Sequence, residues 1–415
     1  MSIQPHQSAL VRGWNALSRF TGPGASATIS VEDLLERAVR ACPEGGDTPA
    51  TVRSALTTLV DALNTSAQLH SFGRYYVSQL LSGLLLNRRR LTRLWAEHAV
   101  ILQGPVPKPL IILGLPRSGT SFLFNLLAND PAHRYLTNWE TTVSQIPPKH
   151  IPSSPMRDPR RRTGKVLMQF QRYLAPQLEE IHEFHLDGPE ECTPLLMQGF
   201  DTQALGGMFN VPDYSRWLDG VDHLATYEHH KRVLQTLQTC YPAERWLLKS
   251  PDHLAGLDSI LRVYPDACLV HLHRDPVQSV SSWASLNATF RGICSARIDA
   301  TELGAEILER LATDMDAYLK VRQTAAPERF LDLPYKQLIA EPFSTVEIIY
   351  AHFGLPLSAA ARSRIEIFLN ADREKARSHR YTPEDFGLSA GAIRKRFADY
   401  MALFGLERPN SADHD

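Results

Sequence analysis

Three basic side chains follow apolar runs of the sequence, and each of them is suited to binding an anion. Arg117 lies in a glycine-bounded loop after one run, Lys249 ends a second, and Arg274 directly follows a third. Such runs are typical of buried parallel strands, and ligands gather at the carboxyl ends of these strands. We therefore expect the three side chains to converge on a ligand that carries two anionic groups.

The loop around Arg117 comes close to the nucleotide-binding P-loop, G-x-x-x-x-G-K-[ST]. Gly114 and Gly119 have the required spacing, but Thr120 stands where the P-loop has lysine. A kinase or ATPase needs that lysine because a terminal phosphoryl group is densely charged. A phosphosulfate carries less charge, so amides, hydroxyls and Arg117 could bind it without a metal. The alternative is an ordinary strand-turn-helix with no ligand. The residues of the loop and of the helix start are Pro116, Arg117, Ser118, Gly119, Thr120 and Ser121.

The composition is that of an ordinary globular protein. The chain has 415 residues and a net charge of −1, from 44 basic and 45 acidic side chains, which gives no general attraction to nucleic acid. Its five cysteines form no CxxC motif, as in proteins of reducing compartments. No apolar run reaches the ~20 residues of a membrane span, and the N-terminus shows no signal core. We expect a cytoplasmic protein without a nucleic-acid partner.

Strand and helix patterns alternate from residue 109 onward. Apolar strands are predicted at 109–113, 245–249 and 267–273, each followed by a helix, and 329–333 is expected to be a fourth strand. Consecutive βα units build a parallel sheet with right-handed crossovers. The fold class is therefore α/β, a P-loop-type three-layer sandwich around a central parallel sheet.

The first hundred residues show helical patterns and contain no nucleotide motif. We expect residues 1–104 to form a helical extension that packs on the main domain, residues 105–405, or on a second chain in a homo-oligomer. A lid over the substrate is the less favoured alternative. Residues 406–415 are expected to be a polar tail.

Prolines and a basic cluster mark the segment 144–165, which we interpret as an exposed, irregular loop. It is either simply solvated or a mobile cover over an anionic ligand, because long loops often serve as active-site lids.

Taken together, these motifs resemble the sulfotransferases that use 3′-phosphoadenosine 5′-phosphosulfate (PAPS), among them bacterial and tyrosylprotein-type enzymes, over roughly residues 105–405. In that family a Pro-Arg-Ser-Gly-Thr-like loop binds the 5′-phosphosulfate, and residues 116–121 match it. An arginine at a strand end and a serine eight residues later bind the 3′-phosphate, and Arg274 and Ser282 match this pair. A salt bridge to Asp275 or to a neighbouring residue is the alternative role for Arg274.

The resemblance implies PAPS as cosubstrate, adenosine 3′,5′-bisphosphate as product, and no metal. The acceptor would be a hydroxyl, less often an amine, of a small molecule, a lipid or a glycan. Residues 378–381 are similar to the family's C-terminal segment, where a basic group closes over the 3′-phosphate. His379 or Arg380 could do this here, unless both are solvated surface charges.

Sulfuryl transfer also needs groups that act on the proton and on the leaving oxygen. Arg117, the loop amides and Lys249 would neutralise charge on the leaving oxygen, unless Lys249 only extends from the strand end into solvent. The acceptor must lose its proton to a base. The family uses either a glutamate after the P-loop helix or a later histidine. We favour Glu140, whose placement is similar to that in the tyrosylprotein-type enzymes, over His253.

The segment 181–191 holds further candidates. His182 and His185 are third choices for the base, and Glu190 and Glu191 are expected to shape the acceptor pocket. Their spacing matches no standard zinc pattern, so we predict no metal site. Two other functions remain open: a P-loop kinase or nucleotidase, which Thr120 opposes, and a nucleotide-binding protein that lacks sulfuryl transfer.

Overall fold

The computed structural model describes residues 2–3, 7–18, 28–176, 185–372 and 382–406 of the chain. Its strands are β1 (Ser2–Ile3), β2 (Leu110–Gly114), β3 (His133–Arg134), β4 (Leu136–Thr137), β5 (Pro189–Glu190), β6 (Arg245–Lys249), β7 (Cys268–His273), β8 (Ile298–Asp299) and β9 (Phe330–Pro334). The helices of the N-terminal part are α1 (Ala9–Ser18), α2 (Val31–Ala41), α3 (Ala50–Thr65), α4 (Ser71–Glu97), α5 (Thr120–Leu127), α6 (Asn138–Thr142) and α7 (Arg160–Leu174). The later helices are α8 (Thr193–Leu196), α9 (Gln203–Met208), α10 (Pro212–Trp217), α11 (Leu224–Cys240), α12 (Leu257–Val263), α13 (Pro276–Cys294), α14 (Ala300–Arg322), α15 (Tyr335–Ala340), α16 (Pro342–Phe353), α17 (Ala359–Asp372), α18 (Ala390–Arg396) and α19 (Ala398–Leu403).

A five-stranded sheet runs through the main domain in the order β3-β6-β2-β7-β9, and every neighbouring pair is parallel. The four predicted strands are all present, which confirms the parallel α/β sheet. The edge strand β3 was not predicted, because two residues are too few to show a pattern. Since β2 lies between β6 and β7, their three carboxyl ends are adjacent.

Helices cover both faces of this sheet. In β2, Leu110 and Ile112 pack against helices α5 and α16, whereas Ile111 and Leu113 belong to the core beneath helices α11 and α14. A strand that is buried on both faces reads as a continuous apolar run, which is why its position was legible in the sequence. The predicted three-layer sandwich is therefore confirmed.

The N-terminal helices pack onto the same chain. Leu56 of α3 and Leu81 of α4 share a buried cluster with Tyr214 of α10. Farther along α4, the Trp95 indole donates a hydrogen bond to the Thr236 hydroxyl at 2.8 Å. The boundary between extension and main domain stays a prediction. None of the helices in the described ranges combines the length and apolar character needed to cross a membrane.

The prediction of an irregular loop through Lys165 is wrong from Arg160 onward, where helix α7 begins. Arg160 is 8% exposed, pairs with Asp158 at 2.8 Å, and donates to the carbonyl of Ser144 at 3.1 Å. The Asp158 carboxylate also accepts the Arg160 amide at 2.9 Å, so it satisfies a donor at the helix start. The basic cluster therefore begins with a buried anchor, and only the residues that follow it reach solvent.

Candidate anion-binding and catalytic site

The loop between β2 and α5 turns sharply over the end of the sheet. The backbone φ is positive at Arg117 (66°) and at Gly119 (93°). A Cβ atom at Gly119 would lie 2.9 Å from the ring of Tyr335. Both the conformation and the close approach therefore require glycine at this position. The strand, loop and helix predicted around Gly114 and Gly119 are all present.

The first turn of α5 is open to an anion. Gly119 is the residue before the helix, and no side chain caps the helix amides. Such amides, together with the helix dipole, favour a negative group. Ser118 is buried and donates its hydroxyl hydrogen to the carbonyl of Leu115 at 2.7 Å, which holds the loop closed. Thr120 is also buried, whereas Ser121 is exposed.

Lys249 reaches this helix from the neighbouring strand β6. Its ammonium donates to the Ser121 hydroxyl at 3.1 Å and to a carboxylate oxygen of Glu191 in a short contact. The side chain is 7% exposed. The alternative of a lysine that extends into solvent is therefore not observed, and a buried positive charge lies beside the loop.

Arg274 joins the second predicted motif to the first. Its guanidinium donates to the backbone carbonyl of Arg117 at 2.7 Å and lies 3.9 Å from the ring centroid of Tyr335. Burial and, more weakly, the charge of Arg117 lower the pKa of Arg274. The alternative pairing with Asp275 is not observed, because that carboxylate pairs with Arg394 at 2.6 Å.

Three further residues, Ser282, His379 and Arg380, were predicted to contact the 3′-phosphate. Ser282 is half-buried on α13, the helix that follows Arg274. His379 and Arg380 lie outside the described residues, so their role stays a prediction.

Glu140 lies where its carboxylate supports the fold. The residue is fully buried, and one oxygen accepts from the Arg134 guanidinium at 2.7 Å. The other oxygen accepts from the backbone amide of Thr137 at 3.1 Å and from its hydroxyl at 3.0 Å, which completes a capping box at the start of α6. These contacts argue against Glu140 as the base.

The histidine candidates that the structure describes are His253 and His185. His253 is 1% exposed, and its Nδ1 is 2.8 Å from the hydroxyl of Tyr227. Burial lowers its pKa well below the usual value, so the ring is neutral. His185 is exposed in a turn, and His182 lies outside the described ranges.

Glu191 is the carboxylate that the structure brings to the P-loop. Besides its contact with Lys249, it accepts from the Thr193 hydroxyl at 3.3 Å, and its side chain is 17% exposed. The Thr193 hydroxyl is also 2.9 Å from that of Ser250. Sequence reasoning placed Glu191 only near the acceptor pocket, since its contact with Lys249 joins residues that are 58 positions apart.

A cavity opens beside the loop. It is lined by Pro116 of the loop, by Pro251 just beyond Lys249, and by Trp283, the neighbour of Ser282. The cavity therefore touches segments adjoining all three predicted motifs.

One set of side chains within the described ranges has an arrangement that could hold a metal ion. Ligand atoms of His271, His273 and Asp332 lie within 4.8 Å of one another. However, Asp332 already pairs with Arg322 at 3.3 Å, and that charge opposes a bound cation. The expectation that the chain needs no metal stays a prediction.

Comparison with known proteins gives a consistent result. Residues 109–359 match the model of the sulfotransferase family. The omega-hydroxy-beta-dihydromenaquinone-9 sulfotransferases Stf3 of Mycobacterium bovis and Mycobacterium tuberculosis are each 27% identical over 72% of this chain and 76% of their own length.

Solved structures show the same similarity. The sulfotransferase STF1 from M. tuberculosis superposes with a TM-score of 0.79 at 28% identity, over 90% of this chain and 99% of its own. The sulfotransferase STF9 from Mycobacterium avium superposes with a TM-score of 0.81 at 29% identity, over 92% of this chain and 98% of its own.

Proposed function

The chain belongs to the sulfotransferase family, and from this premise we propose that it transfers a sulfuryl group from PAPS to a hydroxyl of a lipid. The observation that carries the proposal is the contact between Arg274 and the Arg117 carbonyl, at 2.7 Å. It brings the two anion-binding motifs within the reach of one nucleotide.

In this proposal the open turn of α5 and Arg117 bind the 5′-phosphosulfate, while Arg274 and Ser282 bind the 3′-phosphate. Arginine suits the second task because its planar donors can grip a phosphate through two hydrogen bonds. The stacking of Arg274 on Tyr335 supports this assignment, since it holds the guanidinium plane in one orientation.

The reaction itself is an in-line displacement at sulfur. The acceptor oxygen bonds to the sulfur atom, and the bond from sulfur to the 5′-phosphate oxygen breaks. Charge grows on that leaving oxygen, and the loop amides, Arg117 and Lys249 stabilise it. Adenosine 3′,5′-bisphosphate leaves. No divalent cation is required, because the transferred group is less densely charged than a phosphoryl group.

The proton of the acceptor goes to Glu191 in this scheme. Glu191 contacts the ammonium of Lys249, which lies beside the loop, and it remains partly exposed. Glu191 also accepts hydrogen bonds at both oxygens, but Glu140, the candidate favoured from sequence, is fully buried and pairs with the buried Arg134. A lipid acceptor is favoured because the Stf3 relatives are named for a hydroxylated menaquinone.

Two measurements test the proposed function. Adenosine 3′,5′-bisphosphate at about 100 times its Kd is expected to raise the free energy of unfolding by about 2.7 kcal/mol. Labelled sulfate is expected to pass from PAPS to a polyprenoid with a terminal hydroxyl, at the same rate with EDTA present. Magnesium-dependent ATP turnover would instead identify a kinase. Nucleotide binding without transfer to any acceptor would identify a binding protein.

A further inference from the structure

Helix α7 and the turn before it expose an unusual amount of apolar surface. Between residues 151 and 173, six large apolar side chains are more than two-fifths exposed to solvent. They are Ile151 (46%), Met156 (59%), Val166 (64%), Leu167 (41%), Phe170 (43%) and Tyr173 (50%). Single exposed apolar residues are common, but a cluster of this kind marks an interaction surface.

The apolar side chains of α7 lie on one side of the helix. Val166, Phe170 and Tyr173 are spaced by four and three residues, so they project in similar directions. The other side of α7 packs closely on α6, because a Cβ atom at Gly164 would lie only 2.6 Å from the Cβ atom of Trp139. The apolar side of α7 therefore cannot turn inward to join the core.

The same segment is strongly basic. Residues 149–176 contain seven Lys and Arg residues and a single acidic one, Asp158, in a chain whose net charge is only −1. Asp158 is buried and pairs with Arg160. Arg157, Arg162 and Lys165 are exposed. Exposed basic side chains therefore flank the apolar residues along this segment.

We propose that this docking surface, residues 149–173, binds the surface of an anionic lipid bilayer. A basic amphipathic helix with aliphatic and aromatic side chains on one side lies in the plane of the membrane interface. Its apolar side enters the acyl boundary, and its lysines and arginines contact anionic headgroups. The chain then sits on the bilayer without crossing it.

Two contacts link the neighbourhood of the docking surface to the segment that carries Glu191. Arg161 of α7 pairs with Asp187 at 2.6 Å, four residues before Glu191. On α6, Asn138 donates to the carboxylate of Glu190 at 3.0 Å. A lipid acceptor leaving the bilayer beside α7 would therefore arrive near Glu191. The docking itself does not depend on the proposed reaction, and it is tested without donor or acceptor.

The test is sedimentation of the full chain with vesicles, either of phosphatidylcholine alone or of phosphatidylcholine mixed with phosphatidylglycerol. Wild-type protein is expected to bind the anionic vesicles and to lose binding as salt is added. Arg162→Glu with Lys165→Glu is expected to weaken binding about thirtyfold, from about 1 kcal/mol for each basic residue at an anionic surface. Val166→Ser with Phe170→Ser is expected to weaken it at least about tenfold.

Helix α17 offers a matched control, because it also carries an exposed basic and an exposed apolar residue. Ile367 is 65% exposed, and Arg364 is exposed. Arg364→Glu with Ile367→Ser is expected to leave vesicle binding unchanged. The proposal is overturned if the α17 variant loses as much vesicle binding as the α7 variants. It is also overturned if the wild-type chain does not bind anionic vesicles.

Self-association is the other outcome that the experiment separates. If sedimentation velocity shows a dimer that Val166→Ser with Phe170→Ser dissociates, and vesicles are not bound, the surface joins two copies of the chain and the membrane proposal is wrong. If vesicles are bound but no sulfate is transferred, the docking stands and the proposed function fails.

Discussion

Arg274 is the residue through which the two anion-binding motifs meet. In the proposed function, replacing it with alanine removes up to two charge-assisted hydrogen bonds to the 3′-phosphate. At about 1.5–3 kcal/mol for each bond to a charged group, the affinity for adenosine 3′,5′-bisphosphate is expected to fall at least about tenfold. Isothermal titration calorimetry measures this change directly.

A suitable control for Arg274→Ala is Arg362→Ala. Arg362 also lies over an aromatic ring, that of Phe343 at 5.7 Å, and pairs with Glu347 at 2.7 Å. It lies on α17, so its loss is expected to leave nucleotide affinity unchanged. If Arg274→Ala binds the nucleotide as tightly as the wild type, Arg274 makes no contact with the 3′-phosphate.

Glu191 and Glu140 are expected to differ in turnover after the same substitution. Glu191→Gln should lower kcat by about 10²–10⁴ through loss of the base, and it also removes the counter-charge of the buried Lys249 ammonium, so stability is expected to fall as well. Glu140→Gln should leave a buried Arg134 without its counter-charge and destabilise the fold by about 3 kcal/mol. Turnover assays and urea denaturation distinguish the two effects. A Glu140→Gln variant that folds normally but is inactive would return the role of base to Glu140.

The two glutamates also show what sequence reveals at the scale of a residue. Thr137 and Glu140 have the T-x-x-E spacing of a capping box, so the structural role of Glu140 was legible and was overlooked. The contact of Glu191 with Lys249 could not be predicted from the sequence, because it forms only when the fold brings the segments around β5 and β6 together.

At the scale of elements, the loop from β2 to α5 is expected to be sensitive to the addition of one methyl group at Gly119. Gly119→Ala places a Cβ atom 2.9 Å from Tyr335 in a backbone conformation that costs about 1–2 kcal/mol for other residues. Because the loop must shift, nucleotide affinity is expected to fall at least about tenfold, together with the melting temperature. Calorimetric titration and thermal unfolding measure both effects.

Gly83 in helix α4 is the matched control for this substitution. A Cβ atom there meets no other atom within 4 Å. Gly83→Ala is expected to stabilise the chain by up to about 1 kcal/mol through helix propensity and to leave nucleotide affinity unchanged. If Gly119→Ala behaves like Gly83→Ala, the loop tolerates a side chain and does not bind the phosphosulfate closely.

The elements differ in how well the sequence predicted them. Strands β2, β6 and β7 were predicted because burial on both faces leaves an uninterrupted apolar run. The start of helix α7 was missed because its first turn is Arg160-Arg161-Arg162, a pattern typical of solvated loops. The burial of Arg160 against Asp158 depends on tertiary structure.

At the scale of the whole molecule, adjacency of three strand ends was predictable from right-handed βα units, but the acceptor was not. The cavity beside Pro116 is lined by the loop, by the short helices α9 and α10, and by the long helices α13 and α14, which lie far apart in the sequence. Which of their residues face one another depends on tertiary packing, so the cavity could not be derived before the fold was known.

Buried histidines are expected to make the fold acid-sensitive. Burial lowers the pKa of several rings in the core, that of His230 to about 3. Below about pH 6.5 the unfolded chain binds protons that these folded rings exclude. Their stabilising contribution is therefore complete above the unfolded pKa and is lost as the pH falls. The other histidines whose pKa burial lowers in this way include His229, His253, His271 and His273.

Three groups act in the opposite direction. Burial raises the pKa of Asp314 to about 6 and also raises that of Asp252. Burial opposes protonation of His223, but the Asp201 carboxylate outweighs it and raises the pKa of the ring. All three therefore stabilise the fold as the pH falls. The buried histidines, which destabilise the fold as the pH falls, outnumber these groups. The free energy of unfolding is therefore expected to fall between about pH 7 and about pH 5. Each excluded proton contributes a slope of at most about 1.4 kcal/mol per pH unit.

Urea denaturation across that range checks the sign, and His230→Gln checks the cause. His230 is fully buried, with its Nδ1 2.7 Å from the Tyr264 hydroxyl, and glutamine can keep that hydrogen bond without titrating. The variant is expected to show a slope that is shallower by about one proton below the unfolded pKa. A wild-type profile that is flat, or that rises toward acid, would mean that the buried rings take up protons in the folded chain, and the core would then have to accommodate charge.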